Sequence, residues 1–174
     1  MALRGIVEIF IFGAQLMKTI FKWFSVILIL CSLAIHVQAD SDMAAGFTKI
    51  KSSHSVTTTL DRLEAVLAKK GMKVFARINH AKGAKSVGIE LRPTELLIFG
   101  NPKVGAPLMA CQQTVALDLP QKALAWQDET GQVWLVYNQP DYLEARHKIE
   151  GCQAVLSKVS QALAKFVAHA TGEI

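Results

Sequence analysis

Past residue 40 the chain carries four histidines, His54, His80, His147 and His169, and His80 has the setting that chemistry asks for. It follows an alternating apolar stretch and precedes the small residues Ala81, Gly83 and Ala84. An imidazole there could work as an acid or base, bind a metal, or ligate haem with Met109 as second axial ligand. The plainer roles are a turn cap or a partner for a nearby carboxylate, and a methionine is more often a core filler than an iron ligand. No two histidines have helical ligand spacing or form His-Glu-x-x-His, so no metal centre is expected.

The corner Gly100-Asn101-Pro102-Lys103-Val104-Gly105 is the second candidate. A strand end leading into a helix start exposes backbone N–H groups that can hold an anion, with Asn101 and Lys103 beside them. The two glycines match the outer spacing of a P-loop. Ala106-Pro107 stand where that loop needs Lys and Ser/Thr, which excludes nucleotide hydrolysis. The plainer reading is that Gly, Asn and Pro are there to make the corner. Arg92 and Asp118, each near a proline, form the third candidate. They are expected to meet as an ion pair that locks two loops; the alternative has Arg92 holding an anionic ligand near His80. No Gly-x-Ser-x-Gly elbow is present, and Pro93 separates Glu90 from Glu95, so neither a hydrolase nor a paired-carboxylate enzyme is supported. An enzyme using His80 as base would lack a nucleophile to go with it.

The amino end sets the compartment. From Met17, Lys18 and Lys22 precede an apolar run over Val26–Ile35, and Val37-Gln38-Ala39 ends in a small residue. This is the layout of a secretory signal peptide, with translation expected to start at Met17 and cleavage to follow Ala39. The run is shorter than the roughly 20 residues of a membrane span. The expected product, Asp40–Ile174, is one periplasmic or secreted domain with no membrane attachment. Arg4, Lys18, Lys22 and Glu8 leave with the leader, so 19 basic and 14 acidic residues become 16 and 13, and the net charge falls from +5 to +3. The remaining basic residues are scattered singly, which argues against nucleic acid as a partner. Cys111 and Cys152 survive cleavage. In an oxidising compartment they could bridge, closing a loop of about 42 residues worth about 4 kcal/mol. Two buried free thiols are the alternative.

The elements that must position these groups follow from periodicity. Phe47–Lys51 alternates as a strand. Leu60, Leu63 and Leu67 mark one face of a helix, with Thr58 and Asp61 as a capping pair, Lys69-Lys70 in the last turn and Gly71 as terminator. Met72–Ile78 alternates as a second strand, Asn79–Ser86 reads as a polar loop and Val87–Leu91 as a short extended piece. The continuous apolar run Leu96–Phe99 fits a strand buried on both faces. Pro102–Cys111 reads as a short helix. Asp128-Glu129-Thr130-Gly131 joins a hairpin of Ala123–Gln127 and Val133–Tyr137, with Trp126 and Trp134 as core or dimer-contact groups. Pro140–His147 is a turn or short helix, and Ile149–Ala170 a long one. Such irregular alternation predicts an α+β fold, a mostly antiparallel sheet backed by helices in a two-layer sandwich, with a ferredoxin-like fold as runner-up.

From Thr57 to His147 the chain resembles the bacterial family known as domain of unknown function 302. The resemblance rests on the helix ending in Lys70-Gly71, on Phe75-Ala76-Arg77-Ile78-Asn79-His80-Ala81 with Gly83-Ala84, and on Leu91-Arg92-Pro93-Thr94. It continues through Leu97-Ile98-Phe99-Gly100-Asn101-Pro102, Pro107-Leu108-Met109, Leu117-Asp118-Leu119-Pro120, Trp126 and Tyr137-Asn138. It implies a compact α+β domain that pairs as a homodimer and has no agreed activity. Cys111 and Cys152 are not part of that pattern. The expectation is a non-enzymatic homodimer binding a small ligand near His80, Arg92 and Asn101. The alternative is an envelope structural or stress module whose partner is another protein.

Overall fold

The computed structural model describes residues 46–173; the leader expected at 17–39 lies outside them. Their elements, in order, are β1 (Phe47–Ser52), α1 (Val56–Lys69), β2 (Lys73–Asn79), α2 (His80–Ser86), β3 (Thr94–Gly100) and α3 (Pro102–Cys111). A 3-10 turn (Gln113–Leu117), β4 (Gln121–Gln127), β5 (Val133–Asn138), α4 (Pro140–His147) and α5 (Gln153–Thr171) complete them. The five strands form one sheet in the order β1-β5-β4-β3-β2, every neighbouring pair antiparallel. The fold is α+β with an antiparallel sheet. It is not ferredoxin-like: that topology interleaves two split βαβ units, whereas among the described residues the one crossover between parallel strands, β1-α1-β2, spans three intervening strands and β3, β4 and β5 follow as a meander.

The first two strands lie at opposite edges of the sheet, so α1 crosses beneath its whole width. Leu60, Leu63 and Leu67 on α1 are fully buried, each worth about 1.5–3 kcal/mol of burial. They meet Leu97 and Phe99 of β3, Ala123 and Ala125 of β4, Leu135 of β5, and Leu163, Phe166 and Val167 of α5. Helix α1 is capped by Ser55, whose Oγ accepts from the Thr58 backbone N–H at 3.2 Å. Thr58 and Asp61 are therefore not the cap pair, since the first turn begins three residues earlier than the apolar stripe suggests. A second cluster gathers Leu108, Val115, Leu143, Ile149, Cys152 and Leu156.

Among the described residues, one face of the sheet is packed in this way and the other is open. Burial alternates along β3, so Leu97 and Phe99 are core while Leu96 and Ile98 are half-exposed. The run Leu96–Phe99 is thus not covered on both faces. The open face continues through Leu124 and Trp126 of β4 and Trp134 and Val136 of β5. Trp126 and Trp134 are directly opposite across the β4–β5 hairpin, and Lys49 Nζ lies 4.2 Å from the Trp134 ring centroid. A bulge between Val74 and Ala76 interrupts the alternation of β2 and turns Arg77 to the helix side. There Arg77 contacts Asp61 at 2.6 Å and Glu95 at 2.8 Å, and Glu95 also accepts from Thr57 Oγ1.

The hairpin turn is held by one carboxylate. Asp128 Oδ2 accepts from the Trp134 indole N–H at 2.7 Å, and Oδ1 accepts from the Thr130 hydroxyl and the Thr130 and Gln132 backbone N–H groups. The indole donor, then the hydroxyl and backbone donors, favour the charged form and hold the Asp128 pKa down at about 2. A depressed carboxylate stabilises the fold above its ordinary pKa near 4, and that contribution fades as pH falls toward 2. Trp134 fluorescence should therefore report a transition with a midpoint near pH 2. The Asp128→Asn variant should lack it, and a midpoint near 4 would refute the assignment.

Candidate functional site

The Asn101 corner is a cap with two jobs. Its Oδ1 accepts from the Lys103 backbone N–H at 2.9 Å, and its Nδ2 donates to the Gly71 carbonyl at 3.1 Å. The same side chain thus starts α3 and ties it to the turn between α1 and β2. Pro102 fits the first helical turn, where no intrahelical N–H is missed. Pro107, inside the helix, has no N–H to give to the Lys103 carbonyl.

Helix α3 does not close onto the main core. Between it, α5 and the Gly100 end of the sheet lies a cavity of about 620 Å³. It runs along the seam of the two hydrophobic clusters, with Phe99, Leu163 and Phe166 on one side and Leu108, Leu119 and Val155 on the other. Asn101 and Lys103 line its edge. Cys111 at the end of α3 and Cys152 at the N-cap of α5 are joined as a disulfide, with Cα atoms 6.4 Å apart. The bond ties together the two helices that wall the cavity.

His80 and Arg92 stand elsewhere. His80 opens α2, a helix where a loop was expected. Asn79 starts it, with Oδ1 accepting from the Lys82 backbone N–H at 2.7 Å. Arg92 Nε donates to the Gln127 carbonyl at 3.1 Å. Both sit at the Thr94 end of β3, whereas Asn101 and Lys103 sit beyond its Gly100 end. Six residue steps of strand, about 20 Å, separate the two groups. No single cleft joins His80, Arg92 and Asn101, and His80 does not face Met109 across one haem, because Met109 lines the cavity at the other end. The expected extended piece Val87–Leu91 is irregular, with Val87 and Ile89 exposed. Among the described residues no group of three or more His, Cys, Asp or Glu could hold a metal ion.

Arg92 and Asp118 do not pair either. Asp118 is taken by the end of α4, where His147 Nε2 lies 2.6 Å from Oδ2 and Arg146 Nε lies 3.5 Å from it. A carboxylate can only accept, so Nε2 donates; the other ring nitrogen, Nδ1, is 3.2 Å from Thr114 Oγ1. Lys122 Nζ donates to the Asp118 carbonyl at 2.9 Å. This network pins the 3-10 turn and α4 together over the second cluster. Asp118→Ala is expected to cost about 2–3 kcal/mol by leaving a buried ring nitrogen of His147 unpaired. Denaturant midpoints measure it, and a cost no larger than that of an exposed variant such as Asp141→Ala would show that the network is dispensable. His147, missed as an organising group, gives no sequence signal, since 29 residues separate it from Asp118.

The family model described as "Domain of unknown function DUF302" matches residues 48–167. The chain is 48% identical over 105 residues to a Brucella suis biovar 1 (strain 1330) protein named fluoride-specific ion channel FluC 1, covering 60% of this chain and 41% of that one. A Brucella abortus biovar 1 (strain 9-941) protein of the same name is also 48% identical over 105 residues, which is 39% of its length. The chain thus spans about two fifths of the length of these relatives. Among the described residues no helix is long and apolar enough to cross a membrane. A crystal structure of an uncharacterized conserved protein DUF302 from Bacillus stearothermophilus superposes with a TM-score of 0.66 at 19% identity. It covers 72% of this chain and 98% of that one, a likeness of fold.

Proposed function

We propose that this chain, which belongs to the DUF302 family, is an exported, homodimeric domain that binds a small ligand and has no catalytic role of its own. The observation that supports this reading best is the cavity between α3 and α5. At about 620 Å³ it falls within the size range of small-molecule sites, roughly 300–1,000 Å³. Asn101 and Lys103 keep their place in the proposed site, while Arg92 and Asp118 serve local structure and His80 lies at the other end of β3. A neutral apolar dye, Nile red, should bind with one saturable site per chain. Ala162→Phe, which puts a ring into the cavity from α5, should abolish that binding, and His80→Ala should leave it unchanged. Equal binding by the Ala162→Phe variant would reject the cavity as the site.

Dimerisation would use the open sheet face, where Leu96, Leu124 and Val136 are only half-covered within one chain. Sedimentation should give twice the chain mass, and Leu124→Glu should halve it. Export predicts a mature protein that begins at Asp40 by mass spectrometry.

A second reading is favoured by the relatives named as fluoride channels. A match of 105 residues exceeds the 45 residues before Gly46, so more than half of it must fall within the sheet domain. On this reading the domain is an accessory module that works beside a fluoride channel through its open sheet face. A strain lacking the protein would then tolerate less fluoride; unchanged tolerance would remove this reading and leave the first in place.

A further inference from the structure

We propose that the cavity takes a single-chain aliphatic carboxylate, a fatty acid, with its tail along Phe99, Leu163 and Phe166 and its head at Lys103 and Lys158. This rests on the reading of the cavity as a ligand site and specifies the ligand's chemistry. Two lysines lie among the lining residues, and no Asp or Glu does. Lys103 is in the first turn of α3 and Lys158 is on α5, on facing walls. Neither forms an ion pair among the described residues. The uncharged polar lining residues are Asn101, whose side chain is already used at both ends by the Lys103 N–H and the Gly71 carbonyl, and the buried Gln121 at the start of β4. The rim therefore offers positive charge and little else, above walls that are otherwise almost wholly apolar.

Each part alone selects poorly. A small anion would meet only solvent-exposed cations, and such pairs are worth little. A neutral hydrocarbon would gain burial but no orientation. A molecule with both parts uses both surfaces, and its head can stay in water while its tail is buried. Polyphosphates and nucleotides would require several polar partners deep in the cavity, where Gln121 is the one buried polar lining residue.

The test uses the whole protein as recovered from cells, with Nile red as reporter and ligands kept below micelle-forming concentrations. Octanoate, decanoate and dodecanoate should displace the dye with rising affinity, up to about fourfold per added methylene. Acetate should not displace it, and dodecanol should be about threefold to fivefold weaker than dodecanoate, the worth of a solvent-exposed ion pair. The double variant Lys103→Met with Lys158→Met keeps the apolar stems. It should weaken dodecanoate about threefold to fivefold and leave Nile red unchanged. Equal displacement by dodecanol, or unchanged dodecanoate affinity in the double variant, would overturn the acid-head assignment while the cavity survives as a site. Failure of both Nile red and dodecanoate to bind would overturn the cavity reading as well.

Discussion

Replacing Phe99 with alanine is expected to lower stability by about 3–5 kcal/mol, the largest single-residue effect in this domain. Phe99 is 1% exposed, is central to the main cluster and also lines the cavity. Large-to-small changes cost least where the surroundings can collapse into the gap. Here the gap would merge with existing empty space between α3 and α5, so little collapse is available. The informative control is on the same strand. Leu96 points to the open sheet face and is half-exposed, so Leu96→Ala should cost under about 1.5 kcal/mol in a single chain. Urea unfolding of the two variants at low and high protein concentration separates the possibilities. A Leu96→Ala cost that grows with concentration would mean that a second copy covers the open face. Equal costs at every concentration would mean that the two faces are packed alike within one chain, against the sidedness described here.

The second large effect concerns the Cys111–Cys152 bond. It closes a loop with a sequence separation of 41. Loop-closure entropy for that length predicts a loss of about 4 kcal/mol when both cysteines are replaced by serine. For a domain of this size the melting temperature should fall on the order of 10 °C. Reductant should produce a similar drop in the parent and none in the double variant. A parent protein insensitive to reductant, with two titratable thiols after unfolding, would show that the bridge contributes nothing. Because the bond joins the two walling helices, its loss should also loosen Nile red binding, whereas Phe99→Ala should affect stability first.

Much of the architecture is legible in the residues. The stripe Leu60-Leu63-Leu67 with Gly71 behind it marks α1, because burial on one side of a 3.6-residue period leaves a pattern that local chemistry alone sets. Asp128 to Gly131 marks the hairpin for the same reason, a turn made by its own residues. Asn101-Pro102 marks the start of α3, since a cap and a first-turn proline act over a few bonds. What is not legible depends on partners far along the chain. Whether Leu96 and Ile98 are covered is a property of the layer above them, and a continuous apolar run reads the same either way. Asp118 looks equally suited to Arg92 and to His147, and only the placement of α4 decides between them. The His80 loop proves helical because Asn79 caps it, a cue the surrounding small and polar residues conceal. The supposed site fails for a simpler reason. His80, Arg92 and Asn101 cluster in sequence around β3, but a strand puts its two ends far apart.

The sheet order carries a consequence for how the polypeptide is made. Residue Thr48 of the outermost strand is bonded by Gln139, 91 positions later. Strands β2 to β5, by contrast, each pair with a neighbour in sequence. A ribosome releasing this chain from its amino end therefore yields the meander first, and the earliest-made strand is the last to find its place. Until then the rim of β5 is a bare row of amides and carbonyls, ready to accept a foreign strand. The slow step of assembly should be this homecoming of β1, so agents that shield unpaired strands ought to raise the yield of folded protein most once Asn138 has been made and before β1 has docked on β5.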